Sequence, residues 1–273
     1  MSWQRWLAIF AVAVALGLGL VRLRGTADRW VAGLVERIAE RSAALAEARF
    51  GADIPRAMQQ RATGETAAFV EENLLTVPSF AGRFELLEYS VRAVDPKLKG
   101  LYCEFGVATG ETINFVSRLT TEPVHGFDSF EGLPETWRDG YAKGAFARMG
   151  LPPVRSNVVL HKGWFKDTLP GFRNETRGPL AFVHMDADLY SSTKDVLDLM
   201  GDRMVAGTVI QFDEYFNYPG WRQHEFRAFQ EFVRARGVRF EYLGYSRSNQ
   251  QVAVRILSID GVKPRGGGYR PRL

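Results

Sequence analysis

The sequence predicts an α/β, Rossmann-like fold: a mostly parallel sheet with helices on both faces. Three observations carry this. From Gly100 onward, short apolar runs alternate with amphipathic stretches in the order strand, turn, helix, the rhythm of a sheet wrapped on both sides. Several of those runs end directly in glycine or carboxylate residues, as in EFGVATG, HMDADLY and FDEYF; ligands of such sheets collect at the carboxyl ends of the strands. The chain has 273 residues, 46% apolar and 24% charged, which suits one large globular domain with a helical extension.

Taken in order, residues 6–21, WLAIFAVAVALGLGLV, are apolar or glycine throughout. The run is slightly short of the roughly 20 residues that span a bilayer comfortably, and near the lower limit of about 17. Arg5 precedes it, and Arg22, Arg24 and Arg29 follow it. The positive-inside rule reads this as a single-pass anchor within residues 1–25, leaving the rest on the cytoplasmic face of the inner membrane. A cleaved signal peptide is the competing reading. The arginines directly after the run, and the lack of a small-x-small site beside it, argue against cleavage. A soluble cytoplasmic protein is the alternative location. Residues 26–50 place apolar and charged residues at helical spacing, and residues 51–64 read as a polar break containing Pro55. Together residues 26–65 are expected to form an amphipathic linker. Residues 66–94 read as two helical pieces parted by Pro78, with Phe84, Leu87 and Val91 on one packing stripe.

The strands expected next are LYCEFGV, VHGFD, VVLHK, LAFVHMD and TVIQFD, with helices ETINFVSRL, SSTKDVLDLMGDRM and QHEFRAFQEFVRAR among them. VRFEYLGY and QQVAVRIL follow with little between them, which predicts an antiparallel pair at the edge of the sheet. The domain so read covers residues 66–258. Residues 259–273 are glycine-rich and basic, and read as a flexible tail. Residues 129–156 are too long for an ordinary connection. Their glycines and aromatics predict a lid over an organic ligand, with Trp137, Tyr141 and Phe146 as contacts.

Composition excludes several classes. Net charge is +4, with the surplus near the two ends, and no basic stripe with interleaved aromatics marks a nucleic-acid interface. The single cysteine, Cys103, permits neither an internal disulfide nor a cysteine zinc cluster, and reads as a small buried hydrophobe.

The chemistry concentrates after the strands. Gly106 and Gly110, in Glu104-Phe105-Gly106-Val107-Ala108-Thr109-Gly110, let backbone approach a ligand closely at a turn that opens a helix N-terminus. VHGFD ends in Asp128, about twenty residues on, a spacing at which dinucleotide folds set an acid against ribose hydroxyls. With Ser129 beside it, this suggests an adenosine ligand; capping of the next turn is the rival role for Asp128. Two further apolar strands run into acids, Asp186 and Asp188 after the first, Asp213 and Glu214 after the second. Charges are costly to desolvate at such positions, so their pairing suggests one shared site. All-oxygen donors favour magnesium or manganese over zinc. His184, His125 and His161 lie on strands, and His184 reads as a core residue. His224, after the second acid pair, is placed to face the site.

E-F-G-V-A-T-G, G-F-D-S-F-E-G-L-P-E, H-M-D-A-D-L-Y-S-S-T and F-D-E-Y-F together resemble the macrocin O-methyltransferase family over residues 66–256. The resemblance implies a class I methyltransferase sandwich with a seven-stranded, mostly parallel sheet and one antiparallel edge strand. It implies S-adenosyl-L-methionine, a Mg2+ (or Mn2+) ion, and a hydroxyl of a sugar or glycosylated small molecule as acceptor; homodimers are plausible by the same resemblance. Glu104, Gly106, Ala108, Thr109, Gly110, Asp128, Ser129 and Asp186 are the expected cofactor contacts, with Trp164 as a wall of the adenine pocket. Asp186, Asp213 and Glu214 match the metal ligands. Asp188 matches the general base, and His224 is its rival. A divalent ion would acidify a poorly acidic hydroxyl and let clustered carboxylates stay ionised. Two other readings are an NAD-linked nucleotide-sugar oxidoreductase, disfavoured by the missing GxGxxG, and a membrane-tethered binding module without catalysis, disfavoured by the retained acids.

Overall fold

The computed structural model describes residues 27–50 and 52–260. The expected anchor at 6–21 and nearly all of the basic tail lie outside them. Among the described residues no helix is long and apolar enough to cross a membrane. The chain divides into two compact units between Ala57 and Met58. Helix α1 (Ala27–Phe50) lies in the first. Helix α2 (Ile54–Asn73) fills most of the stretch expected to be a polar break. Pro55 does not interrupt it, because it stands in the first turn, where a missing N–H forfeits no intrahelical bond. Asp53 caps the same turn, its Oδ1 accepting the Arg56 N–H at 3.0 Å.

The second unit is a three-layer sandwich. Its strands are β1 (Ser79–Phe80), β2 (Leu101–Phe105), β3 (Val124–Asp128), β4 (Val158–Lys162), β5 (Leu180–Met185), β6 (Met204–Phe212), β7 (Val238–Ser246) and β8 (Val252–Ile259). They lie in the order β1-β7-β8-β6-β5-β2-β3-β4. Successive residues along each central strand alternate between two cores. Phe182, Val209 and Ala253 pack with Leu86, Leu87 and Val91 of α3 (Arg83–Arg92) and with Ile113 and Val116 of α4 (Glu111–Leu119). Val183, Ile210 and Val254 pack on the opposite face with α5 (Phe165–Glu175), α6 (Tyr190–Met200) and α7 (Glu225–Arg236). The stripe of Phe84, Leu87 and Val91 serves packing, as expected.

Three features differ from expectation. The sheet has eight strands rather than seven: the two residues of β1 pair in parallel with the end of β7, Ser79 opposite Tyr245, a strand too short to leave a periodic signal. The antiparallel strand is not at the edge. β8 runs antiparallel to both β6 and β7 and lies between them. Val252, Ala253, Val254 and Ile256 are fully buried, and a strand that apolar on both faces belongs inside a sheet. Finally, α5 was not legible between VVLHK and LAFVHMD, because Pro170 and Gly171 sit in its middle and both disfavour helix. Leu169 and Phe172, buried against the sheet, hold it in place.

Register sets up the site. Phe105 lies opposite Phe127 and Met185, and Met185 opposite Phe212. The ladder continues one residue past the strands, with Gly106 N–H to Phe127 O at 2.9 Å, Asp186 N–H to Phe105 O at 2.9 Å and Asp213 N–H to Met185 O at 2.8 Å. Gly106, Asp128, Asp186 and Asp213 therefore emerge along one edge of the sheet. The chain order reverses between β2 and β5, the switch point where open α/β sheets bind ligands.

Candidate active site at the carboxyl edge of the sheet

A cleft of about 650 Å³ opens there, within the size range of small-molecule sites. Gly106, Ala108, Thr109, Asp128, Ser129, Trp164, Asp186, Asp188, Asp213 and Glu214 all line it. Glu104, Gly110 and His224 do not.

At one end is the glycine loop. Gly106 has φ +94°, and a Cβ on it would lie 1.7 Å from the Asp186 carbonyl oxygen; only glycine fits where the two strand ends approach so closely. Gly110, at φ +78°, stands immediately before α4. Asp128 holds the loop. Its Oδ2 accepts the N–H groups of Val107 and Ala108, both at 2.8 Å, and its Oδ1 accepts the Phe130 N–H at 2.7 Å. The capping role is therefore real, and Asp128 still faces the cleft. Ser129 Oγ accepts the Glu131 N–H at 3.1 Å. Glu104 points away from the cleft: its side chain is buried, accepting from Thr112 Oγ1 at 2.9 Å and pairing with His184 Nδ1 at 3.0 Å. A strand residue two positions before the loop faces the core rather than the ligand.

At the other end are the acids. His184, Asp186 and Asp213 present donor atoms within 4.8 Å of one another, and so do Asp186, Asp188 and Glu214. Asp186 thus belongs to both groups, and the expected trio of Asp186, Asp213 and Glu214 is spread across them. Burial, then the charge of Asp213, pushes Asp186 well above the ordinary carboxylate range. Burial and Asp213 also raise Asp188 to about 7, restrained by Arg138. Burial and the neighbouring acids raise Glu214. Burial would raise Asp213 too, but His184, 3.6 Å away, more than offsets this and holds it below its usual value. Like charges so close cannot all ionise unaided. Asp213 Oδ1 and Glu214 Oε2 are buried without hydrogen-bond partners among the described residues. Unpartnered oxygens on mutually repelling acids fit a hard divalent cation.

His184 is only half the satisfied core residue expected: among the described residues its Nε2 has no hydrogen bond and lies 3.6 Å from Asp213 Oδ1. His125 and His161 pair with each other, Nδ1 to Nε2 at 3.2 Å. His224 stands back behind Trp137 and Tyr218, with ring centroids 6.2 Å from each. The stretch 129–156 is tied to itself by Leu133 N–H to Ala145 O and Arg148 N–H to Phe130 O, both at 2.9 Å. It brings Trp137, Tyr141 and Phe146 to the cleft, with Arg138 packed over the rings of Trp137, Tyr141 and Tyr218.

Two residues escaped sequence reasoning. Arg138 carried no signal beyond its place in a long loop. Glu225, fully buried, resembles an ordinary acid in a helix first turn.

Residues 140–241 match the family described as Macrocin-O-methyltransferase (TylF). The chain is 33% identical over 159 residues to an 8-demethyl-8-(2,3-dimethoxy-alpha-L-rhamnosyl)-tetracenomycin-C 4'-O-methyltransferase of Streptomyces olivaceus, covering 49% of this chain and 60% of that one. It is 33% identical over 111 residues to a demethyldecarbamoylnovobiocin O-methyltransferase of Streptomyces niveus, covering 34% and 41%. The matches thus span three-fifths or less of these relatives. Among solved structures, the calicheamicin methyltransferase CalS11 superposes with a TM-score of 0.51 at 22% identity, over 73% of this chain and 91% of that one, a likeness of fold. The fold is that of the class I methyltransferases, and residues 140–241 resemble the macrocin O-methyltransferase family.

Proposed function

We propose that this chain is an S-adenosyl-L-methionine-dependent O-methyltransferase, assisted by a divalent cation, whose acceptor is a hydroxyl of a sugar or glycosylated small molecule. One observation carries the reading: the glycine loop with Asp128 and the four carboxylates of two adjacent strands open into one cleft. Gly106 and Ala108 admit the cofactor to the loop, Asp128 faces its ribose, and Trp164 flanks its adenine. Asp186, Asp213 and Glu214 would hold Mg2+ or Mn2+, with His184 steadying Asp213. When bound, the cation supplies positive charge that makes the acceptor hydroxyl more acidic and fixes its place. Asp188 lines the cleft beside Asp186 and Glu214, in reach of a hydroxyl held there, and His224 does not line it, which favours Asp188 as base. Asp188 Oδ would take the hydroxyl proton as the methyl group passes from the sulfonium to the acceptor oxygen, with S-adenosylhomocysteine as the released product. Residues 129–156 close over the acceptor and exclude water.

Isothermal titration with S-adenosylhomocysteine, with and without Mn2+, tests the cofactor. Asp186→Ala and Asp213→Ala are expected to lose Mn2+ binding and transfer of labelled methyl to rhamnosylated acceptors, and Asp213→Ala, which is no cofactor contact, to keep S-adenosylhomocysteine binding. Failure of the unmodified protein to bind S-adenosylhomocysteine rejects the cofactor; full Mn2+ binding by both variants rejects the metal set. The residues 6–21 are proposed to anchor the chain at the cytoplasmic face of the inner membrane, and carbonate extraction tests this. The proposed homodimer is tested by light scattering.

A further inference from the structure

Asp186 and Asp188 ride on the turn after β5, and Asp213 and Glu214 on the turn after β6. A cation gripped by both turns needs their separation held to fractions of an ångström. Glu225, the first residue of α7, is fully buried directly behind them. Its Oε1 accepts the Ala187 N–H at 3.1 Å, between the two acids of the first turn. Its Oε2 accepts the Glu214 N–H at 3.0 Å, inside the second. One rigid carboxylate therefore bridges both turns.

The choice of residue is informative. An acid buried among other acids is electrostatically unfavourable: burial, Asp188 and Asp213 all oppose its ionisation. A glutamine would avoid that repulsion at the same size. It could not do the same work, because an amide has one acceptor oxygen and turns its NH2 toward the second N–H donor, whereas a carboxylate accepts at both ends. The helix N-terminus at which Glu225 stands favours the negative charge.

We propose that Glu225 is a positioning residue that sets the spacing between the two carboxylate-bearing turns, and through it the affinity of the site for a divalent cation. This rests on the metal-assisted reading above. The glycine loop hangs from β2 and is fastened by Asp128, so cofactor affinity should not depend on Glu225.

The test is Mn2+ titration of the full chain, followed by calorimetry or by electron paramagnetic resonance of free Mn2+, alongside titration with S-adenosylhomocysteine. Glu225→Gln is expected to weaken Mn2+ binding about 10–100-fold, the usual cost of losing a partner that orients metal ligands, while S-adenosylhomocysteine affinity stays within about twofold. Glu225→Asp keeps the charge but is one methylene too short to reach both turns. It should also weaken Mn2+ binding, and it carries the test if Glu225→Gln does not fold. Unchanged Mn2+ affinity in a folded variant overturns the proposal alone. Parallel loss of Mn2+ and S-adenosylhomocysteine affinity overturns it in favour of a general structural role. Absence of Mn2+ binding by the unmodified protein overturns both the proposal and the metal reading.

Discussion

Asp128 offers the sharpest separation between holding the protein together and holding a ligand. Its carboxylate accepts three backbone N–H groups from the two turns that shape the cofactor end of the cleft. Asp128→Ala deletes all three bonds at once. Hydrogen bonds to a charged group contribute about 1.5–3 kcal/mol each, so an upper bound is roughly 4.5–9 kcal/mol. The side chain is only half-buried, and water can reach part of the vacated space and satisfy some of the amides. A net loss of about 2–4 kcal/mol is expected, which for a unit of this size lowers Tm by roughly 4–16 °C. The assay is thermal denaturation of the ligand-free protein, with circular dichroism as the check on fold. A residue that served only ribose would leave ligand-free stability unchanged. A Tm within about 2 °C of the unmodified protein, less than about 1 kcal/mol, would therefore refute the loop-holding role.

Gly106→Ala should be more severe at the same end of the site. It adds a left-handed backbone penalty of about 1–2 kcal/mol to a Cβ placed 1.7 Å from the Asp186 carbonyl oxygen; S-adenosylhomocysteine binding retained at full affinity would contradict the close approach. A third prediction concerns pH. Burial, then its neighbour His161, lowers His125 to about 4, below its ordinary value of about 6.5. The unfolded chain therefore binds the extra proton between those values, so His125 removes stability as pH falls from about 6.5 toward 4. His125→Gln should flatten the fall in Tm across that window, and an identical slope in both proteins would show that His125 is not the group responsible.

The strands that carry the site were legible because their apolar runs are bounded sharply by glycine and acids; VHGFD and VVLHK are strands over the same residues that periodicity picks out. The cleft-facing positions Gly106, Asp128, Asp186, Asp188, Asp213 and Glu214 were legible for the same reason, since residues just past a parallel strand have few places to go except the carboxyl edge. Three features were hidden. Pro55 read as part of a polar break, yet it opens a helix, and Pro170 with Gly171 masked α5, which tertiary packing holds. Glu104 read as a cofactor contact from its nearness to the glycine loop, yet it lies on a strand and faces His184 and Thr112. Glu225 gave no signal in the sequence because the amides it accepts from lie 38 and 11 residues away in the chain.

By itself, then, the sequence determined the α/β class, most strand boundaries and the kinds of chemical group at the carboxyl edge, because these follow from local periodicity and from the cost of burying charge. Only the tertiary structure decided that β8 inserts beside β6, that Asp186 is shared between two donor groups, and which buried acids support the cluster rather than belong to it. Those are choices among distant partners of similar local chemistry, and packing and register make them where sequence spacing cannot.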